Sequence, residues 1–201
     1  MPTFTIFAGV NGCGKTTLYN YERSKLATNN FGNRINPDEI LKDFGGNWQN
    51  DRDVYTSGLI ALNKLKDNLN NLESFNWETT LISFTLLKCL KQAKDNGYKV
   101  NLYFVSVENV ETALKRINHR VENGGHGIPN NLVETRFSHR FIRLNEALPF
   151  VDNAIFFDNT NTLKIAATYA NKEFTYVDNK ISWTKQLINK SLEKWKKWNI
   201  F

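Results

Sequence analysis

Cysteine is nearly absent. Cys13 and Cys89 are the only two in 201 residues, which excludes a disulfide framework. Cys13 also lies inside a glycine-rich segment, where a crosslink would obstruct a ligand. Both read as reduced thiols in a reducing compartment. No apolar run approaches the about 20 residues needed to span a membrane as a helix. The opening "MPTFTIFAGV" has no basic segment ahead of an apolar one, so a signal peptide is not expected and the chain reads as cytoplasmic. With 3 histidines and none of them near a cysteine pair at metal-ligand spacing, no structural metal is expected. Internal repeats, linkers and low-complexity segments are also missing. Charge is not strongly one-sided. A formal net charge of +6 suits an anionic ligand but does not imply nucleic acid, and a solvated basic surface accounts for it.

The pattern that is present is an alternation of strands and helices over a length that suits one domain. "TFTIFAG" is a short apolar, β-branched run that reads as a buried strand, followed by a helix in "KTTLYNYERSKL". "RINPDEI" reads as a strand entering a helix, with Asn36 as N-cap, Pro37 as first helical residue and Glu39 as the returning acid of a capping box. Leu59, Leu62, Leu65, Leu69 and Leu72 recur at helical spacing between Asp51 and Leu72. "SFNWETTL" is a strand ending near Glu78. "TLLKCLKQAKDNG" is a helix closed by Gly97, and "KVNLYFVSV" is the clearest strand. Two further helices, "NVETALKRINHRVENGG" and "LVETRFSHRFIRLNEAL", flank the loop "HGIPNN". The strand "NAIFFDNT", a hairpin in "KIAATYANKEFTYVD" and a closing helix in "SWTKQLINKSLEKWKKW" complete the chain. Trp183, Leu187, Leu192 and Trp195 mark one side of that last helix. Lys185, Lys190, Lys194, Lys196 and Lys197 surround it; it reads as a docked helix with a solvated face, with partner binding as the alternative. The expected fold is α/β: a doubly wound, mainly parallel sheet with right-handed crossovers.

Gly9-Val10-Asn11-Gly12-Cys13-Gly14-Lys15-Thr16 matches G-x-x-x-x-G-K-[ST] in full, between a strand and a helix. Glycines let the backbone wrap closely around phosphate oxygens. Successive N–H groups and the helix N-terminus then face the anion. Gly9, Asn11, Gly12, Cys13, Gly14, Lys15, Thr16 and Thr17 are therefore the candidate ATP cradle. Lys15 is placed to reach the β- and γ-phosphates, and the Thr16 hydroxyl to ligate Mg2+.

Such a loop defines only a superfamily of motors, switches and kinases. In an open parallel sheet, ligands lie beyond the carboxyl ends of the strands, and two further strands end in acids. Asp38 reads either as an acid that stabilises a helix start or as a carboxylate that accepts the proton of an acceptor hydroxyl. Glu78 reads either as a capping acid or as a residue that holds the acceptor, with Thr79 and Thr80 assisting. Arg116 and Arg120 share one helix face, and Arg136, Arg140 and Arg143 share another. The glycine turn Gly124-Gly125-His126-Gly127 joins them. The pair reads as two solvated basic helices or as a lid, over about residues 116–143, that carries guanidinium groups to a transferring phosphoryl group. His126 reads as a loop or contact residue. Ile155-Phe156-Phe157-Asp158 reads as a strand end followed by a turn rather than a magnesium site.

"GVNGCGKTT", "INPDEI", "WETTL" and "RVENGGHGIPNNLVETRF", in that order, resemble the zeta-toxin-like P-loop kinases. They are closest in pattern to the compact bacterial class labelled predicted kinases or ABC-type ATPases, although no L-S-G-G-Q-like signature is present. The resemblance implies a P-loop NTPase sheet of nucleoside-kinase type with an arginine-bearing helical lid. It implies Lys15 and Thr16 as nucleotide and magnesium residues, Asp38 as catalytic base and Glu78 as a substrate-binding acid, with Arg120 and Arg136 meeting the phosphate chain. Studied members of that family phosphorylate the 3′-hydroxyl of the sugar in UDP-N-acetylglucosamine and are held inactive by a small helical antitoxin. The expectation is thus an ATP- and magnesium-dependent kinase with a nucleotide-sugar acceptor and a toxin–antitoxin context. The alternatives are a kinase of another small molecule or of a nucleic-acid end, and a nucleotide-dependent binding protein without transfer. No membrane partner is expected, and a nucleic-acid partner is not favoured.

Overall fold

A computed structural model describes residues 1–25, 31–81 and 84–189. Its elements are β1 (Thr3–Ala8), α1 (Lys15–Ser24), β2 (Asn33–Ile35), α2 (Pro37–Asp43), α3 (Asp51–Asn71), β3 (Phe75–Thr79), α4 (Phe84–Asp95), β4 (Lys99–Ser106), α5 (Val110–Glu122), α6 (Asn130–Ala147), β5 (Asn153–Asp158), β6 (Lys164–Ala170) and β7 (Glu173–Val177). The seven strands form one sheet in the order β2-β3-β1-β4-β5-β6-β7. The first five in that order are parallel, and β6 and β7 extend the sheet as an antiparallel hairpin. This is the doubly wound α/β architecture the alternation predicts, with the nucleoside-kinase strand order. The middle strand of the five parallel ones is β1, and it leads into the glycine loop.

Alternate residues of a strand face opposite sides of a sheet, and β1 shows what that does to packing. Phe4, Ile6 and Ala8 enter a core built with Ala61, Leu65 and Leu69 of α3 and Leu90 and Ala93 of α4. Phe7 enters the other core, with Leu18 and Tyr19 of α1 and Ala113 and Ile117 of α5. Helix α6 belongs to both: Val133 joins the second core, and Phe141, Leu144 and Ala147 join the first. Helix α6 is therefore anchored near both ends by buried apolar residues, and α5 through Ala113 and Ile117. Between them, the turn at 123–129 is the segment without regular structure. The expected lid over about residues 116–143 corresponds to the end of α5, this turn and most of α6.

Local signals act as expected at several ends. Asn50 and Asn109 cap α3 and α5 by accepting from Arg52 N and Thr112 N. Gly97, at φ 76°, closes α4. The start of α2 differs from expectation. Asn36 does cap it, through Asp38 N at 3.0 Å, but Glu39 does not return to the Asn36 backbone. Glu39 accepts instead from the Asn36 side-chain amide at 3.0 Å and from Arg34 at 2.9 Å. Residues 184–189 are helical, and Trp183 and Leu187 are buried in the first core. Leu192, Trp195, Lys190, Lys194, Lys196 and Lys197 lie outside the described residues. Among the described residues no helix is long and apolar enough to cross a membrane.

Gly9 shows how tightly the loop is built into this frame. Its φ is +148°, and a Cβ there would sit 2.2 Å from Val105 O and 2.6 Å from Cys13 Sγ. Gly9→Ala is expected to destabilise the protein by about 1–3 kcal/mol, the usual cost of forcing atoms into a packed interior. Urea denaturation measures it; an unchanged midpoint would show that the loop relaxes freely.

Candidate active site

Helix α1 begins differently from its neighbours. Its N-cap is Gly14, in a left-handed conformation with no side-chain cap, and its first turn has no acid. Helices α2, α3 and α5 each have an asparagine cap and an acid in the first turn. The leading amides of α1 thus meet no carboxylate or amide oxygen of the protein, which suits a phosphate.

The loop is braced from several elements. Asn159, just after β5, donates to Cys13 O at 2.9 Å. Gly9 N donates to Thr79 O at 3.3 Å. Arg136 of α6 donates to Asn11 Oδ1 at 2.8 Å. Cys13 is buried at the base, and burial pushes its thiol up to about 11, so it stays neutral and serves packing. Lys15 Nζ donates to Val10 O at 3.3 Å, folded over the loop it would serve. Thr17 is exposed on the first turn of α1.

Glu78 stands where β3 meets the loop. The sequence places it at a different strand end from the phosphate loop. The structure sets β3 directly beside β1, with Glu78 opposite Phe7, and removes that separation. The Glu78 carboxylate, 4% exposed, accepts from Thr16 Oγ1 at 2.8 Å, from Arg34 at 2.6 Å and from Asn36 Nδ2 at 3.2 Å. Arg34 is sandwiched further, its guanidinium 3.7 Å from the centre of the Tyr19 ring. Sequence reading missed Arg34 altogether, because a lone arginine on a three-residue strand shows no pattern. Thr79 is tied into the backbone, its hydroxyl accepting from Leu81 N at 3.3 Å, and Thr80 follows it partly buried.

Asp38 lies across the loop mouth from Lys15. Its carboxylate is 47% exposed and lies 2.9 Å from His126 Nε2. Burial pushes its pKa up, but His126, Lys15 and Arg120 outweigh this and hold it below the usual carboxylate value. Arg136 also feels Asp38; burial nonetheless leaves that guanidinium below its ordinary pKa. The Nε and Nη2 atoms of Arg120 and the Nε of Arg136 are shielded from solvent without a hydrogen-bond partner. Desolvated guanidinium nitrogens without acceptors are costly, and an anion between α5 and α6 would remove that cost.

The structure brings Lys15, Thr16, Asp38, Glu78, Arg120 and Arg136 to one rim, and it separates the other arginines from it. Arg116 donates to Thr160 O at 3.1 Å. Arg140 is buried against the Phe137 and Phe141 rings at 3.6 and 4.2 Å, where burial lowers its pKa to about 10. Arg143 pairs with Glu146 at 2.9 Å. Asp158 binds Trp183 Nε1 at 2.9 Å and Thr160 Oγ1 at 2.7 Å, so it anchors the segment after the hairpin. His126 is the site residue that sequence reasoning left as a contact; the glycines on either side were its only signal. Among the described residues no group of three or more histidine, cysteine and acidic side chains could hold a metal. Thr16 and Glu78 offer two hard oxygens side by side, which would suit a magnesium ion.

Loop, strand order and rim together define a P-loop NTPase fold of the kinase type. No model of a known protein family matches the chain. It is 31% identical over 133 residues to an uncharacterized protein of Haemophilus influenzae, covering 65% of this chain and 89% of that protein, and it belongs to the same family. Among solved structures it superposes on a chain of the AvrRxo1-ORF1:-ORF2 complex with ATP at TM-score 0.71 and 18% identity, over 93% of this chain. This chain spans 64% of the length of that one. It also superposes on a structure of the PezAT chromosomal toxin–antitoxin system of Streptococcus pneumoniae at TM-score 0.59 and 14% identity, over 100% of this chain and 88% of the other. The fold is that of the zeta-toxin-like P-loop kinases.

Proposed function

We propose that the protein transfers the γ-phosphoryl group of ATP to a hydroxyl of a small acceptor. One observation carries this reading: a half-exposed carboxylate, Asp38, converges with Lys15, Arg120 and Arg136 at the mouth of a phosphate loop. A nucleotide switch needs the loop and a moving segment. It does not need an acid held beside the cations that would meet a γ-phosphate. In this reading the acceptor hydroxyl gives its proton to Asp38 as its oxygen bonds to the γ-phosphorus. The bond from that phosphorus to the bridging oxygen breaks, and ADP leaves with the electron pair. Lys15, Arg120 and Arg136 offset the negative charge of the transferring group. Thr16, with Glu78 behind it, would hold a magnesium ion, which would supply positive charge to the phosphate chain.

The finer reading is that the acceptor is a nucleotide sugar such as UDP-N-acetylglucosamine and that the protein is the toxin of a pair with a small antitoxin. It is supported by the four motifs together, by the ATP in the AvrRxo1 complex and by the toxin–antitoxin nature of PezAT. Incubating the pure protein with labelled ATP and a panel of nucleotide sugars, nucleosides and RNA ends tests both levels. Label on a nucleotide sugar supports the finer reading. Label on another acceptor keeps the kinase and replaces the substrate. ATP binding with no transfer to any of them rejects the kinase.

Glu78→Gln is expected to weaken magnesium–ATP binding about tenfold, as the loss of a partner behind a metal ligand does, and to spare acceptor binding. Separate equilibrium titrations of ATP with magnesium and of the acceptor measure this. A loss confined to the acceptor would return Glu78 to the role its sequence motif suggests.

A further inference from the structure

The turn between α5 and α6 is packed more closely than a flexible connection requires. A Cβ on Gly125 would fall 2.6 Å from Arg120 Cγ and 2.9 Å from Arg120 O, and one on Gly127 would fall 2.8 Å from the Trp48 ring and 3.0 Å from Val121 Cγ2. The residues on both sides of His126 are thus wedged, one against the arginine that faces the site and the other against Trp48. Trp48 lies in the connection that leaves α2, the helix that carries Asp38. Packing therefore sets the place of the imidazole, and the contact with Asp38 follows from it. Nε2 is shielded from solvent and lies 2.9 Å from Asp38 Oδ2, a close ion-pair approach that is not aligned as a hydrogen bond.

We propose that His126 is a positioning residue for Asp38: the wedged turn presents its imidazole to Oδ2 and leaves Oδ1 to face the acceptor hydroxyl. This rests on the kinase reading above. A carboxylate at the start of a helix can rotate about its side-chain bonds, and in phosphoryl transfer the aim of the accepting oxygen matters as much as its basicity. The groups that face Asp38 are Lys15 from α1, Arg120 from α5, Arg136 from α6 and His126 from the turn. Lys15, Arg120 and Arg136 are also placed to meet phosphate. His126 is left to Asp38. The same arrangement joins the acceptor side of the site, α2 and its following connection, to the arginine side through one turn. The turn must be seated before the carboxylate is aimed.

The pH response has a definite sign. Asp38 must be ionised to accept a proton, so transfer falls as pH drops through its pKa. His126 helps to hold that pKa down. Removing the imidazole raises it, and the acid limb of the rate profile moves to higher pH.

The test compares wild type, His126→Ala and His126→Gln, the last keeping a donor of similar reach. Carbon-13 NMR of the Asp38 carboxyl, assigned with Asp38→Asn, follows its titration. ADP release over pH is measured with ATP and the panel of UDP-N-acetylglucosamine, nucleosides and RNA ends. The expected result for His126→Ala is a raised Asp38 midpoint, an acid limb at higher pH and turnover lower by on the order of 10- to 100-fold, the cost of a misplaced reacting group. ATP affinity and melting temperature stay near wild type, and His126→Gln recovers most of the turnover. An unmoved Asp38 midpoint overturns the proposal. So does a moved midpoint with unchanged turnover and pH profile, or a loss that only follows a lowered melting temperature. If Asp38→Asn itself transfers normally, or wild type labels nothing in the panel, the kinase reading fails, and the NMR titration still reports whether the contact exists.

Discussion

Lys15→Ala is expected to abolish phosphoryl transfer and leave the fold standing. Among the described residues the Lys15 ammonium group makes one hydrogen bond, to Val10 O at 3.3 Å. Helix α1 is held by Leu18 and Tyr19, which are buried against Phe7 and the second core, and not by Lys15. Losing the ammonium group costs the folded state little, within the about 0.5 kcal/mol typical of surface substitutions. It costs the bound state far more. The loop amides remain to hold phosphate, but the mobile positive charge that follows the γ-phosphoryl is gone. Removing one such group from a preorganised site lowers turnover by on the order of 10²–10³-fold. Single-turnover transfer from labelled ATP and thermal melting of the same preparation measure both effects. Normal turnover at normal stability would reject the cradle. If the protein is a toxin, the same substitution makes its expression harmless.

The site was legible where chemistry and local backbone need coincide. The glycine loop could be read because its glycines, lysine and threonine each answer a different demand of one ligand. The start of α2 could be read because Asn36 and Pro37 are strong local signals, and the sheet because buried parallel strands leave apolar runs. What could not be read depends on which strand lies beside which. Glu78 reads as an acceptor-side residue because it ends a different strand from the one that feeds the loop; the β3–β1 pairing brings it into contact with Thr16. Arg34 was invisible for the same reason, since its partners Glu39 and Glu78 come from two elements. Spacing alone does not separate the arginines of α5 and α6; Arg120 and Arg136 stand out in the sequence only through the family resemblance. Their helical spacing is regular, but only tertiary packing decides that Arg120 and Arg136 face the site while Arg140 turns onto Phe137 and Phe141. Several asparagines have structural work that the fold reveals. Asn36, Asn50 and Asn109 each cap a helix, and Asn159 braces the loop.

Asp38→Asn separates the two readings of the acid most sharply, and the structure makes the structural alternative weak. The start of α2 is secured by Asn36 Oδ1 accepting from Asp38 N and by Pro37 at the first position. Neither uses the Asp38 carboxylate. Asparagine keeps the shape and loses the charge, so the cost to the helix is at most ~1 kcal/mol of charge–dipole energy. Part of even that is screened at a half-exposed side chain. As a base, asparagine fails outright, because its amide cannot take the acceptor's proton; turnover is expected to fall by about 10²–10⁴-fold. ATP binding should persist, because the loop amides and Lys15 supply it. It could even tighten slightly, since a negative charge facing the γ-phosphate is removed. The experiment measures kcat, ATP affinity and melting temperature on one preparation. A large loss in kcat with the other two nearly unchanged identifies the base. Near-normal transfer would reject Asp38 and turn attention to Glu78. Glu39 is the other candidate; Arg34 and Asn36 engage both carboxylates.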